Sequence, residues 1–236
     1  MMIDGGSLRR TLSDELHARA FNNFSGAGRF VRFVYLIDGN TEALIQYVNA
    51  FLSAEGHTFI PAGSKFAIFS LDEYSLEYER HTEFVSISFI QKTDALDTGL
   101  LSASYDESKV PLPLEWARQA PMSLFHAIWL EIGGKSPVGL TEQNMLDLME
   151  ARAVAANQFS DGAAEVYFAF DIDTAGFSRV ALYNSSMTAS RLGRAVQRIV
   201  ELETYRLLAL LGFATVPEHE SKLDAIAKRV GVLTNE

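Results

Sequence analysis

The order in which strand-like and helix-like runs follow one another constrains this chain more than any single residue does. "RFVRFVYLI" is β-branched and aromatic and reads as a strand. "EALIQYVNAFLSAEG" has helical spacing, starts at Asn40 or Thr41 and is closed by Gly56. "KFAIFSL", "SLEYER" and "EFVSISFI" then read as three strands. A polar connector over 93–113, punctuated by Pro111 and Pro113, separates this cycle from a second one. There "SLFHAIWLEI" is a strand, "GGKSPVG" a turn and "TEQNMLDLMEA" a helix opening at Thr141. "RAVAANQF", "AEVYFAFDID" and "FSRVALYN" are three further strands, the last two joined by a tight turn at "TAG".

The pattern predicts an α+β domain with a mostly antiparallel sheet, or two packed sheets. A duplicated strand–helix–strand–strand–strand unit would build it, with halves at 1–110 and 114–212 fused into one domain over 1–236. No residue-level identity links the halves. At the N-terminus, Ser7 can cap a short helix reaching Arg19, and "SGAG" breaks the chain before the first strand. Near the other end, "TASRLGRAVQRIVELETYRLLALLG" predicts a helix of about 22 residues, packed on the sheet and capped by Gly212. A shorter charged helix is expected over 217–233. Such an ending, without a closing strand, is expected of the front part of a longer protein.

Composition removes several kinds of chemistry. The chain has no cysteine, which excludes disulfides, thiolate catalysis and cysteine-held zinc or iron–sulfur. A net charge of −10 argues against nucleic acid as a partner, despite Arg9, Arg10, Arg29 and Arg32 near the start. Those arginines read as surface or ion-pair residues. "MMIDGGSLRR" lacks the apolar core of a signal peptide, and "LLALLGFATV" is shorter than the roughly 20 apolar residues a spanning helix needs.

Three sets of charges fall where apolar residues belong. On the long helix, at about 100° per residue from Leu192, Val196, Ile199, Leu207 and Leu210 cluster within about 60°. Glu203 lies inside that stripe at about 20° and Arg206 beside it at about −40°. On the first helix, Glu15 and Arg19 share the side of Leu8 and Leu12, spaced for an ion pair, while His17 points away. In "LEYERHTEFVSISF", period two puts Glu79, His81 and Glu83 on the side of Val85, Ile87 and Phe89, unless a turn near His81 exchanges the faces. An unpaired buried carboxylate costs several kcal/mol, so Glu15, Arg19, His81, Glu83, Glu203 and Arg206 are expected to meet in one polar cluster. Three roles are open to it: a structural ion-pair network; an anion or ligand site using Arg19, Arg80, His81 and Arg206; or acid–base chemistry through His81 with Glu83 or Glu203. A metal held by His17, His81 and carboxylates is a variant of the last, and the residues themselves assign no metal or cofactor.

Familiar catalytic motifs fail on inspection. "IGGKSP" has Trp129 where a phosphate loop needs its first glycine, and Pro137 follows. "HESKL" opens like a zinc-protease helix but carries Leu223 at the second-histidine position. No G-x-S-x-G elbow occurs. His57 reads as a loop residue and His126 as a hydrogen-bonded strand histidine.

The blocks "LRRTLSDELHARAF", "LEYERHTEFVSISF" and "GRAVQRIVELETYRLLALLGF" together resemble the domain-of-unknown-function family 3422 of bacteria. They occur in that family's order and run from residue 8 to 213, with one departure, Ala20, where the family has proline. The family's members are typically longer and are described as predicted membrane-anchored proteins, so the resemblance implies an N-terminal soluble portion on the cytoplasmic side, with membrane association expected from segments beyond this chain. It implies no activity. The expected function is that of a ligand-binding or protein-interaction module, with a homodimer through the long helix as a candidate assembly. The alternative is a hydrolase-like enzyme with His81 and Glu83 or Glu203 as base and Arg19 or Arg80 as charge stabiliser.

Overall fold

A computed structural model describes residues 24, 26–37, 41–92, 105–159 and 161–234. Within them the elements are β1 (Gly28–Leu36), α1 (Thr41–Ala54), β2 (Phe66–Ser70), β3 (Ser75–Arg80), β4 (Phe84–Lys92), α2 (Leu114–Arg118), β5 (Leu124–Gly133), α3 (Glu142–Met149), β6 (Val154–Phe159), β7 (Ala164–Ile172), β8 (Ser178–Asn184) and α4 (Ala189–Thr234). A single 3-10 turn at Glu107–Lys109 lies between β4 and α2.

The eight strands form one sheet in the order β2-β3-β4-β1-β5-β8-β7-β6. The central pair, β1 and β5, is antiparallel, with Val31 opposite Trp129. Each half therefore lays its first strand at the middle and runs outward through its fourth, third and second. The halves differ in one respect. β1 pairs with β4 antiparallel, whereas β5 pairs with β8 in parallel, and that parallel pair is the exception in an otherwise antiparallel sheet.

Both faces of the sheet are covered. On the front, Val31, Phe33, Tyr35, Val85, Ile87, Phe89 and Trp129 pack against Leu44, Ile45, Val48 and Leu52 of α1 and Leu114 and Ala117 of α2. Further along the same face, Ala181 and Tyr183 meet Met145 and Met149 of α3. On the back, Ile128, Leu130, Ile132, Val166, Val180 and Leu182 pack against Leu192, Ala195, Val196, Ile199 and Val200 of α4. Being central and buried on both sides, β1 reads as a near-continuous apolar run, unlike the exposed-alternating edge strand β2.

Local chemistry explains the ends. Thr141 and Asn144 form a reciprocal capping box at the start of α3. Gly56, with φ of 76°, turns the chain after α1, where His57 donates its N–H to the Leu52 carbonyl at 2.8 Å. Gly28 is required by crowding, since a Cβ there would collide with the Gln91 carbonyl and the Phe24 ring.

The long helix departs from expectation. Gly212 does not cap it, because it is not among the residues with positive φ, and α4 continues through Gly212 and Pro217 for 46 residues. Among the described residues its last buried ones are Glu203 and Thr204; Leu210, Leu211, Phe213, Leu223 and Ile226 are exposed. No helix of the described residues is long and apolar enough to cross a membrane.

Candidate functional site

The turn between β3 and β4 decides which charges meet. Arg80 pairs with Val85, and the His81 N–H donates to the Phe84 carbonyl at 2.8 Å, closing a hairpin at Thr82 and Glu83. The turn is tethered to β1 by Ile37 N–H donating to the Glu83 carbonyl at 3.1 Å. It exchanges the faces. Val85, Ile87 and Phe89 face front with Leu76 and Tyr78, while Glu77 and Glu79 face the back opposite Ser88 and Ser86. Period two across an unbroken strand therefore misplaces Glu79, and Glu83 is exposed in the turn instead of joining the buried charges.

Arg32 organises the back-face charges. Its Nη2 reaches Glu79 Oε2 at 2.7 Å and Glu77 Oε1 at 3.5 Å, and its Nε donates to Ser88 Oγ at 3.0 Å. All four residues are buried. His81 lies beside this group, its Nε2 at 3.8 Å from Glu79 Oε2 and its ring stacked on Phe84 at 4.0 Å. That distance exceeds a hydrogen bond, and Nε2 is buried with no hydrogen-bond partner.

A pocket of about 340 Å³ opens at this hairpin, lined by Gly63, Lys65, Arg80, His81 and Thr82. Lys65 is brought opposite Arg80 by the Arg80 N–H, which donates to the Lys65 carbonyl at 2.8 Å. Gly63, with φ of 80°, occupies the turn Pro61–Ser64, closed by Ser64 N–H to the Pro61 carbonyl at 3.1 Å. Lys65, Arg80 and Thr82 are exposed, whereas His81 is buried. Among the described residues no carboxylate lines the pocket.

The other expected residues are placed as follows. Glu203 is fully buried on the α4 stripe and accepts from Arg206, with Nη2 to Oε2 at 2.9 Å. The Arg206 guanidinium also lies over the Phe170 ring at 4.8 Å. Tyr205, between them, meets Phe84 edge-on at 5.8 Å, and so α4 touches the ring on which His81 stacks. Among the described residues no hydrogen bond or ion pair joins Glu203 to His81. Arg80 stands on the pocket wall, outside the buried group. Glu15, Arg19 and His17 lie outside the described residues. His126 is buried on the back face with neither ring nitrogen hydrogen-bonded, contrary to the satisfied histidine its strand suggested. Burial, with Arg206 nearby, pushes its pKa down to about 4.

Two polar groups escaped sequence reasoning. On the front face Glu131 accepts from Arg29 Nε at 3.0 Å and Trp129 Nε1 at 2.7 Å, while Arg29 also donates to Gln91. Burial pushes the Glu131 carboxyl up to about 7 against the pull of Arg29, and its Oε2 has no partner. The signal was present: Glu131 continues the core-facing alternation of Ala127 and Trp129. Further along that face, Arg179 bonds Asp173 at 2.6 Å and Glu150 at 3.2 Å, with its guanidinium over Tyr105 at 4.9 Å. A larger pocket of about 560 Å³ opens there, but its lining includes Asp106, Asp147 and Glu150 around an arginine that is already paired. Among the described residues no group of three or more histidines and carboxylates could hold a metal ion.

A family model described as a protein of unknown function, DUF3422, matches residues 6–236. No curated protein and no solved structure matches the chain.

Proposed function

The chain belongs to the DUF3422 family, and on that footing we propose that it is a non-catalytic binding module whose hairpin pocket takes a small anion through Lys65, Arg80 and His81. The observation that carries this reading is the composition of the pocket lining. In a chain of net charge −10, the described residues of the lining include two exposed cations, a histidine and a threonine, and none of them is a carboxylate. A carboxylate or phosphate fits such a lining through charge-assisted hydrogen bonds.

The hydrolase-like alternative draws on Glu79 as a base beside His81. Arg32 already engages the same oxygen, Glu79 Oε2, at 2.7 Å, so that oxygen is committed to an ion pair and not to His81. Glu83 stands outside the pocket lining. Binding without turnover is the better match. The wider setting of this reading is a domain on the cytoplasmic side of a bacterial, membrane-associated protein, supported by the resemblance of its three sequence blocks.

Calorimetric titration with inorganic phosphate and with acetate tests the proposal. Saturable binding of at least one is expected, weakened roughly tenfold or more in Lys65→Ala/Arg80→Ala, in line with losing charged hydrogen bonds of about 1.5–3 kcal/mol each. Both side chains are exposed, so the fold should be retained. Absence of saturable heat from either anion in the wild-type protein rejects the site.

A further inference from the structure

The part of α4 that has left the sheet carries an apolar stripe with its own period. From Tyr205 to Thr234 the helix runs for about 45 Å at the usual rise, and none of the residues described along it is buried. Helices in water owe most of their stability to packing of an apolar side. Here that side recurs every seven residues. The sequence has an apolar residue at 202, 209, 216, 223 and 230, and three positions on it has Tyr205, Ile226 and Leu233, with Gly212 and His219 between. Leu202 is 59% exposed, Tyr205 38%, Leu223 64% and Ile226 58%. Leu202, Tyr205 and Ala209 lie about 80–140° round the helix from Leu192, away from the side that Leu192, Val196 and Ile199 pack on the sheet. A second helix can therefore lie on this stripe while α4 keeps its own contact with the sheet.

We infer that the stripe is the interface of a homodimer, in which two copies of α4 pair antiparallel as a coiled coil. A seven-residue apolar series is what two helices need to pack knobs into holes. The stripe is complementary to itself once reversed, which selects a second copy of this chain as its occupant. With the two-fold midway between Leu202 and Ile226, Leu202 lies against the partner's Ile226 and Tyr205 against the partner's Leu223. The four exposed apolar residues then cover one another, and the interface closes on itself. The flanking positions agree. Glu201 faces the partner's Arg229, opposite charges on the rim of the seam, and Phe213, 73% exposed, faces its own symmetry mate. A parallel pair in the same register would bring the two sheets side by side at Leu202 and would set Arg229 against a threonine, Thr234, instead of a carboxylate.

Sedimentation velocity at about 50 µM, where a dimer of micromolar affinity is populated, is the first measurement. The wild-type protein should sediment as a dimer and Leu223→Glu/Ile226→Glu as a monomer. Both substituted residues are exposed and lie beyond the sheet, so the variant should still unfold cooperatively in urea. The direction of pairing is read with introduced thiols, since the chain has no cysteine of its own. Under mild oxidation a mixture of Leu202→Cys and Ile226→Cys proteins should give a disulfide-linked dimer, and neither protein alone should. A monomeric wild-type protein, or a dimer that survives Leu223→Glu/Ile226→Glu, overturns the interface. A disulfide-linked dimer of Leu202→Cys alone overturns the antiparallel arrangement.

Discussion

Arg32 occupies a position where strand alternation in a sheet core calls for an aliphatic side chain, and it holds two carboxylates and a serine there. Replacing it by leucine would leave Glu77 and Glu79 without that partner in a buried layer. The expected loss is about 3–5 kcal/mol by denaturant unfolding, the usual result of breaking a buried pair from one side. Glu83→Ala, in the exposed turn, should stay within about 0.5 kcal/mol. A loss below about 1 kcal/mol for Arg32→Leu would mean that the pair is not desolvated as described. The same residue shows how far the sequence could be read. Arg29 and Arg32 lie on opposite faces of β1, but whether a face is covered depends on a strand's rank in the sheet, which local residues do not encode. Both were read as surface or ion-pair residues; they are buried ion pairs because β1 is central. His81 and Glu83 were expected at the margin of the core face; His81 and Glu79 are buried, on the opposite face from Val85, and Glu83 is exposed in the turn. The Glu79 partner Arg32 was missed, since it lies 47 positions from Glu79 and no local spacing joins them.

At the scale of elements, the strand and helix runs were legible because each carries its own period, and the order repeated in both halves was visible before any pairing was known. Pairing was not. Nothing in "FSRVALYN" distinguishes a strand that joins its neighbour in parallel from the antiparallel "EFVSISFI", since direction follows from where α1 and α3 return the chain. Gly212 was read as a stop because glycine so often closes a helix in the left-handed conformation. In α4 it is an interior residue with open space where a Cβ would stand. Gly212→Ala separates the two cases. An interior, exposed glycine replaced by alanine should gain about 0.5–1 kcal/mol of helix stability, measurable as slower hydrogen exchange on either side of residue 212. A left-handed cap would lose stability instead, and faster exchange there would return the helix end to Gly212.

Over the whole molecule, two buried groups on opposite faces of the sheet pull stability in opposite directions with pH. Glu131 on the front has its carboxyl raised from 4.5 to about 7, chiefly by burial. Between those values the folded state holds the proton more firmly than the unfolded chain, so stability falls as pH rises through the window. His126 on the back is lowered from 6.5 to about 4, again chiefly by burial. Between its two values the unfolded chain binds the proton more firmly, so stability falls as pH drops. Each effect amounts to about 3 kcal/mol over its window at about 1.4 kcal/mol per pH unit. They overlap from roughly pH 4.5 to 6.5, and there the opposing slopes cancel. Single substitutions should uncover them. Glu131→Gln leaves the histidine, and its unfolding free energy should climb relative to wild type as pH rises from 5 to 6.5. His126→Phe leaves the carboxylate, and its stability should decline relative to wild type over the same interval. The comparison is between slopes, so the constant cost of either substitution, including any altered hydrogen bonding to Arg29 and Trp129, drops out. Urea unfolding at pH 5, 5.75 and 6.5 suffices to measure it. Parallel profiles for all three proteins would show that neither group is kept from water as the sheet's two covered faces require.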